Sequence, residues 1–169
     1  MSKIQLKKEL SRLDREQLIG IILDNYSLRK DAKAYFDFFI NPDIDKLTEK
    51  YSLLIEKEML RGKYTKSTAR LSRVRTHIRE YASFGVPPES VQELMIYTLK
   101  LGLDVERRKY VSQTFTSGII RLATDILTYG DKNSIFDSTM RLMEDALSGN
   151  YGYKGFVNQI RYELHWSLI

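Results

Sequence analysis

Seven cations stand within one nineteen-residue stretch that holds no acid: Arg61, Lys63, Lys66, Arg70, Arg73, Arg75 and Arg79 of RGKYTKSTARLSRVRTHIR. On either side the charge is close to balanced. Residues 1–60 carry eleven Lys/Arg against eleven Asp/Glu, and residues 80–169 carry nine against eleven. The net charge of +5 therefore arises from this stretch alone. A block of one sign on a neutral background suits contact with an anion, either an acidic protein surface or a nucleic-acid backbone. The alternative is a solvated face neutralised by carboxylates of neighbouring helices, Glu56 and Glu58 among them.

The apolar residues in and just after the stretch fix how the cations are presented. On a helix over 66–83, Leu71, Val74, Ile78, Tyr81 and Ala82 form the inward stripe. Lys66, Arg70, Arg73 and His77 follow one flank of it, and Arg75 and Arg79 the other. Lys63, Lys66 and Arg70 then oppose the helix dipole, each by ~0.3–1 kcal/mol at low salt, a placement that stability alone does not select. A second cluster, Arg107, Arg108 and Lys109, is expected to open a long helix capped by Asp104. If successive helices pack antiparallel, that end lies on the same side as Lys66 and Arg70. In the loop over 150–155, Tyr151 and Tyr153 beside Lys154 are placed to stack on a base or to fold back on their own helix.

Other chemistry finds little support in the residues. With no cysteine, disulfides and thiolate chemistry are excluded. There is no glycine-rich phosphate loop, no nucleophile elbow and no His-Glu-x-x-His. A di-metal site in a helical bundle needs two Glu-x-x-His pairs. The chain has two histidines, and neither follows a Glu by three positions. His77 with Glu80 reads as a surface pair, and His165 as a residue suited to a helix C-terminus. No catalytic residue, metal or cofactor is expected. The reading is a non-enzymatic helical interaction module. The alternatives are a small enzyme using a carboxylate, Tyr and Arg, or a purely structural adaptor.

Positioning falls to helices, since apolar residues recur with helical period almost throughout. The expected fold is all-α: one domain of about eight or nine helices, judged from that period. N-terminal helices cover 1–62, and a region of paired helices covers 63–169. Asp14, with Gln17 three residues on, predicts a capped helix start at Arg15. A helix over 31–40 has Tyr35, Phe36, Phe38 and Phe39 around its circumference and reads as buried. Asn41-Pro42 is expected to start the next, and Gly62 to end it. Pro87-Pro88 opens a nearly apolar helix, expected at the centre of the core and ending at Gly102. A long segment to Tyr129 should bend near Gly118, and helices over 133–147 and 156–168 complete the chain. Tyr81–Gly85 and Ile126–Gly130 lie 45 residues apart in similar settings, and Gly102 and Gly149 lie 47 apart. That is the spacing of HEAT-like antiparallel helix pairs, or a chance match of helices that end in glycine. No stretch is long and apolar enough for a membrane span, and the charged start does not read as a leader, so a cytoplasmic protein is expected.

The opening, KKELSRLDREQLIGIILDNY over 7–26 followed by AYFDFFINP over 34–42, resembles a bacterial family of domains of unknown function. The resemblance covers about the first quarter of the chain. It implies a small all-helical bacterial protein and carries no activity or site. The same opening is loosely similar to the SAP motif, a DNA-binding helix pair. Here the connecting loop is shorter, the motif's loop glycine is absent, and the second helix is apolar over Leu18–Leu23.

Overall fold

The computed structural model describes residues 2–62, 66–149 and 154–164, the side chain of Lys154 excepted. Among them the chain is all-α. Nine helices are present and no strand, and one isolated parallel bridge pairs Lys66 with Tyr110. The helices fall into two compact units, residues 1–43 and 44–169.

In the first unit, α1 (Lys3–Leu10), α2 (Arg15–Leu28) and α3 (Lys30–Ile40) follow one another closely. Polar side chains start the first two. The Ser2 hydroxyl accepts from the Gln5 N–H and the Asp14 carboxylate from the Gln17 N–H, while each glutamine side chain accepts from the cap's own N–H. These are capping boxes, and the second lies where the sequence places it. Asp14→Ala should therefore cost about 0.5–2 kcal/mol. Urea unfolding followed by far-UV circular dichroism checks this, and an unchanged midpoint would show that the cap does not hold the helix start. Between α2 and α3, the Tyr26 hydroxyl donates to Asp37 Oδ1 at 2.9 Å.

Two expectations for this unit are corrected. The helix over 31–40 is not buried: no described residue of residues 2–43 is, and Phe39 remains 70% exposed. Apolar side chains all round α3 outnumber what one neighbouring helix can cover. Part of that surface meets itself instead, with Tyr35 edge-on to Phe36 and stacked on Phe39. Nor does Asn41 start the next helix. Its N–H donates to Asp37 O as the C-cap of α3, and α4 begins at Ile44. A residue before proline is held out of the helical region, which ends α3 there.

The second unit holds α4 (Ile44–Met59), α5 (Leu71–Ser83), α6 (Pro88–Arg108), α7 (Gln113–Lys132), α8 (Phe136–Ser148) and α9 (Lys154–Glu163). α6 is central, packing against α4, α5, α7 and α8, with Leu99 and Leu103 fully enclosed. It runs a turn and a half beyond the expected end. Gly102 is inside the helix, where its missing side chain leaves room for Ile119 of α7. Gly102 and Gly149 thus differ in role, since Gly149 follows α8 as its C-cap. Asp104 does not cap a helix either. The cap of α7 is Ser112, whose hydroxyl accepts from the Phe115 N–H. α7 continues through Gly118, which lies against Leu71 at the start of α5. Asn133 ends α7, so α8 starts at Phe136 and not at 133.

α5 is shorter than expected, and the reason lies in its backbone donors. The Ser67 N–H donates to Tyr110 O, Thr68 N–H to Arg61 O and Arg70 N–H to Glu58 O. With those groups bound to the end of α4 and to the loops that follow α4 and α6, residues 66–70 stay outside the helix. Gly62 makes the turn back, at a φ of +103° that other residues rarely adopt. Gly85 follows α5, as expected.

Candidate anion-binding groove

α5 presents its inward stripe as the sequence predicts. Val74, Ile78 and Tyr81 are buried, with Leu71 and Ala82 at the margin. The two flanks then meet different neighbours. On the first, Arg70 occupies the N-cap position, with Nε 3.9 Å from Glu58 Oε2. His77 is largely covered: its ring lies 6.4 Å from that of Tyr51, and its Nδ1 is 3.2 Å from Glu80 Oε2. Arg73 is exposed and, among the described residues, has no carboxylate within ion-pair reach. On the second flank, Arg75 reaches α7. Its Nη2 donates to Gly118 O at 3.0 Å, and its Nε lies 3.8 Å from Asp125 Oδ2. Arg79 is exposed, and its Nε donates back to the Arg75 carbonyl.

This second flank borders a cavity of about 560 Å³ between α5, α6 and α7. Ile78 and Ala82 of α5, Val91 and Met95 of α6 and Leu122 of α7 make an apolar floor. Arg75 and Arg79 stand on one rim. Arg121, Asp125, Thr128 and Lys132 stand on the other, at i, i+4, i+7 and i+11 along one face of α7. Arg121 and Lys132 are exposed and, among the described residues, have no ion-pair partner. Tyr129 also lines the cavity. Burial, and then the charge of Glu89, push its hydroxyl above the usual tyrosine value. The carboxylate, Tyr and Arg types of the enzyme alternative thus occur together in Asp125, Tyr129 and Arg121. A hydroxyl shifted that way stays neutral at ordinary pH, which suits a hydrogen-bond donor and not a base or nucleophile.

A second cavity, of about 500 Å³, lies where α5 and α7 begin, and Arg70, Arg75 and Ser112 are among its lining residues. The backbone N–H groups of both first turns add positive potential there.

The second sequence cluster reaches this end of the unit by another route. Arg107 and Arg108 close α6, both on Asp104 Oδ1 at 2.8 and 2.9 Å. Cations at a helix C-terminus complement its dipole, so these two have a structural reason to be there. Lys109 donates from Nζ to the carbonyls of Leu60 and Gly62. Lys66 is joined to the same corner through the bridge to Tyr110. Tyr151 and Tyr153 lie outside the described residues, as does the side chain of Lys154, whose backbone begins α9.

Arg121 and Lys132 are absent from the sequence prediction. Eleven positions apart in a chain segment of balanced charge, they raise no local count. The signal available is the helical register, which places both on one stripe with Asp125.

The model of a family described as a family of unknown function (DUF6155) matches residues 1–160. The chain belongs to this family. The match extends well past the first quarter to which the sequence resemblance was confined, taking in the groove and α5 to α8. No curated protein and no solved structure matches the chain. Among the described residues, no helix is long and apolar enough to cross a membrane, and no group of three or more His, Asp or Glu residues is placed to hold a metal ion.

Proposed function

We propose that this chain is a non-enzymatic interaction module that binds an anionic partner through the basic face of α5. One observation carries the reading: Arg73 and Arg79 on α5, with Arg121 and Lys132 beside them on α7, are exposed and lack a carboxylate partner among the described residues. Neutralisation by neighbouring helices is partial. Glu58 approaches Arg70, Asp125 approaches Arg75, and Glu56 is engaged with the Tyr97 hydroxyl. The partner is an acidic protein surface or a nucleic-acid backbone, met from the cytoplasm.

Fluorescence anisotropy with labelled duplex DNA and with an acidic polypeptide, across a salt series, tests this. Binding at ~50 mM salt should weaken as salt rises, because the Debye length shortens. For DNA, log affinity should fall linearly with log salt, with a slope near −0.9 per phosphate contacted. Arg73→Glu/Arg79→Glu should reduce binding about tenfold or more at low salt, a loss of at least about 1.4 kcal/mol, with the melting temperature little changed. No binding of either probe at low salt would remove the reading.

A further inference from the structure

We infer that the groove between α5, α6 and α7 is the docking site for an acidic amphipathic helix of a partner protein. The inference rests on the proposed anion-binding role and narrows it to one occupant. Three features of the groove select that occupant.

The first is charge. Of the groove's charged residues, four are cations and only Asp125 is an acid, and Asp125 is already engaged by Arg75. Glu89 acts on Tyr129 from outside the lining, leaving Arg79, Arg121 and Lys132 to face an incoming group.

The second feature is the floor. A phosphate backbone needs cations alone, whereas the surface between the two rims is mainly apolar. An apolar stripe between two acidic edges matches the sequence of rim, floor and rim. The floor is also closed. Val91, Met95 and Leu122 are 2%, 6% and 4% exposed, so a lipid chain finds no tunnel to enter. A helix laid along the groove needs none, since side chains at i, i+3/i+4 and i+7 reach the floor from above.

The third feature is length. From Arg121 to Lys132 the α7 rim spans about 16 Å, or three helical turns. The α5 rim runs alongside it in the same direction, since Arg75 meets Gly118 and Asp125 near one end, and Ala82 lines the cavity with Tyr129 and Lys132 at the other.

The probe is a capped ~14-residue peptide with Leu at i, i+3/i+4 and i+7 and Glu on both sides of that stripe, long enough to cover the rim. Its control has the same composition in scrambled order. Duplex DNA is the third ligand. Affinity is read by anisotropy, and location by the ¹³C-methyl resonances of the methionines. Met95 lies in the groove, whereas Met59 and Met143 are fully buried outside its lining.

The amphipathic peptide should bind about tenfold or more tighter than the scrambled one and shift Met95 but not Met59 or Met143. Arg79→Glu/Arg121→Glu and the uncharged floor variant Ala82→Gln should each weaken it about tenfold, close to 1.4 kcal/mol. Equal binding of both peptides with Met95 unmoved overturns the docking site and leaves the anion-binding role standing. Tighter binding of DNA than of peptide, again with Met95 unmoved, does the same and assigns the surface to nucleic acid. Absence of binding by all three ligands overturns both.

Discussion

Gly130→Ala is expected to lower the stability of the second unit by about 2–4 kcal/mol, although alanine favours a helix over glycine by ~1 kcal/mol. Gly130 lies buried in the last turns of α7 and faces Thr139 of α8. A side chain at Gly130 would overlap the Thr139 hydroxyl and press to 2.8 Å from its Cβ. Thr139 has little freedom to yield. It is β-branched and fully buried, and its hydroxyl donates to Ile135 O at 2.8 Å. The same oxygen receives a bond from the Gln92 side-chain amide, itself 2% exposed on α6. Moving Thr139 therefore leaves a buried amide without a partner, and that penalty adds to the steric one. A fall in the urea midpoint with an unchanged slope would report it. Stability equal to wild type would mean that α7 and α8 have room to part at this point.

The Gly130 contact illustrates what the sequence does and does not disclose. Glycines at helix ends and inside helices look alike in one dimension. Gly62 and Gly85 follow their helices and were legible, because a run of apolar period stops just before them. Gly102 also follows such a run, yet α6 continues to Arg108, since what selects glycine there is Ile119 on another helix. A distant neighbour leaves no local mark. The same holds for the basic stretch. Its inward stripe was readable from Val74, Ile78 and Tyr81, which set the core-facing side of α5. The start of α5 was not, because the backbone donors of Ser67 and Arg70 go to Tyr110 and Glu58, far apart in sequence. For the site, charge density pointed to α5, and the opposite rim on α7 stayed hidden. Arg121 and Lys132 join the groove only when α7 lies beside α5, with Arg75 reaching Gly118.

Tyr81→Ala should be the most damaging single truncation on α5, costing about 3–5 kcal/mol. Tyr81 is fully buried, and its ring meets Tyr51 of α4 edge-on at 5.6 Å between centroids. Phe84 meets the same Tyr51 ring from the end of α5, and with His77 three rings of this segment hold Tyr51. The Tyr81 hydroxyl lies 2.7 Å from Thr48 Oγ1, which satisfies its polar end inside the core. Packing and hydrogen bond can be separated with Tyr81→Phe. That variant keeps the ring and gives up one bond, at about 1 kcal/mol, because Thr48 is only half-buried and can turn to water. A loss for Phe close to that for Ala would show that the hydroxyl, and not the ring, fixes α4 against α5. The variant also divides stability from binding. Tyr81 faces α4 and is not part of the groove lining, so Tyr81→Ala should bind anionic probes like wild type at temperatures where it remains folded. Charge reversal at Arg73 and Arg79 should do the opposite, weakening binding while leaving the unfolding midpoint nearly in place. Loss of binding in a folded Tyr81→Ala variant would mean that the anion-binding face depends on how α4 seats α5, and not only on the charges α5 carries.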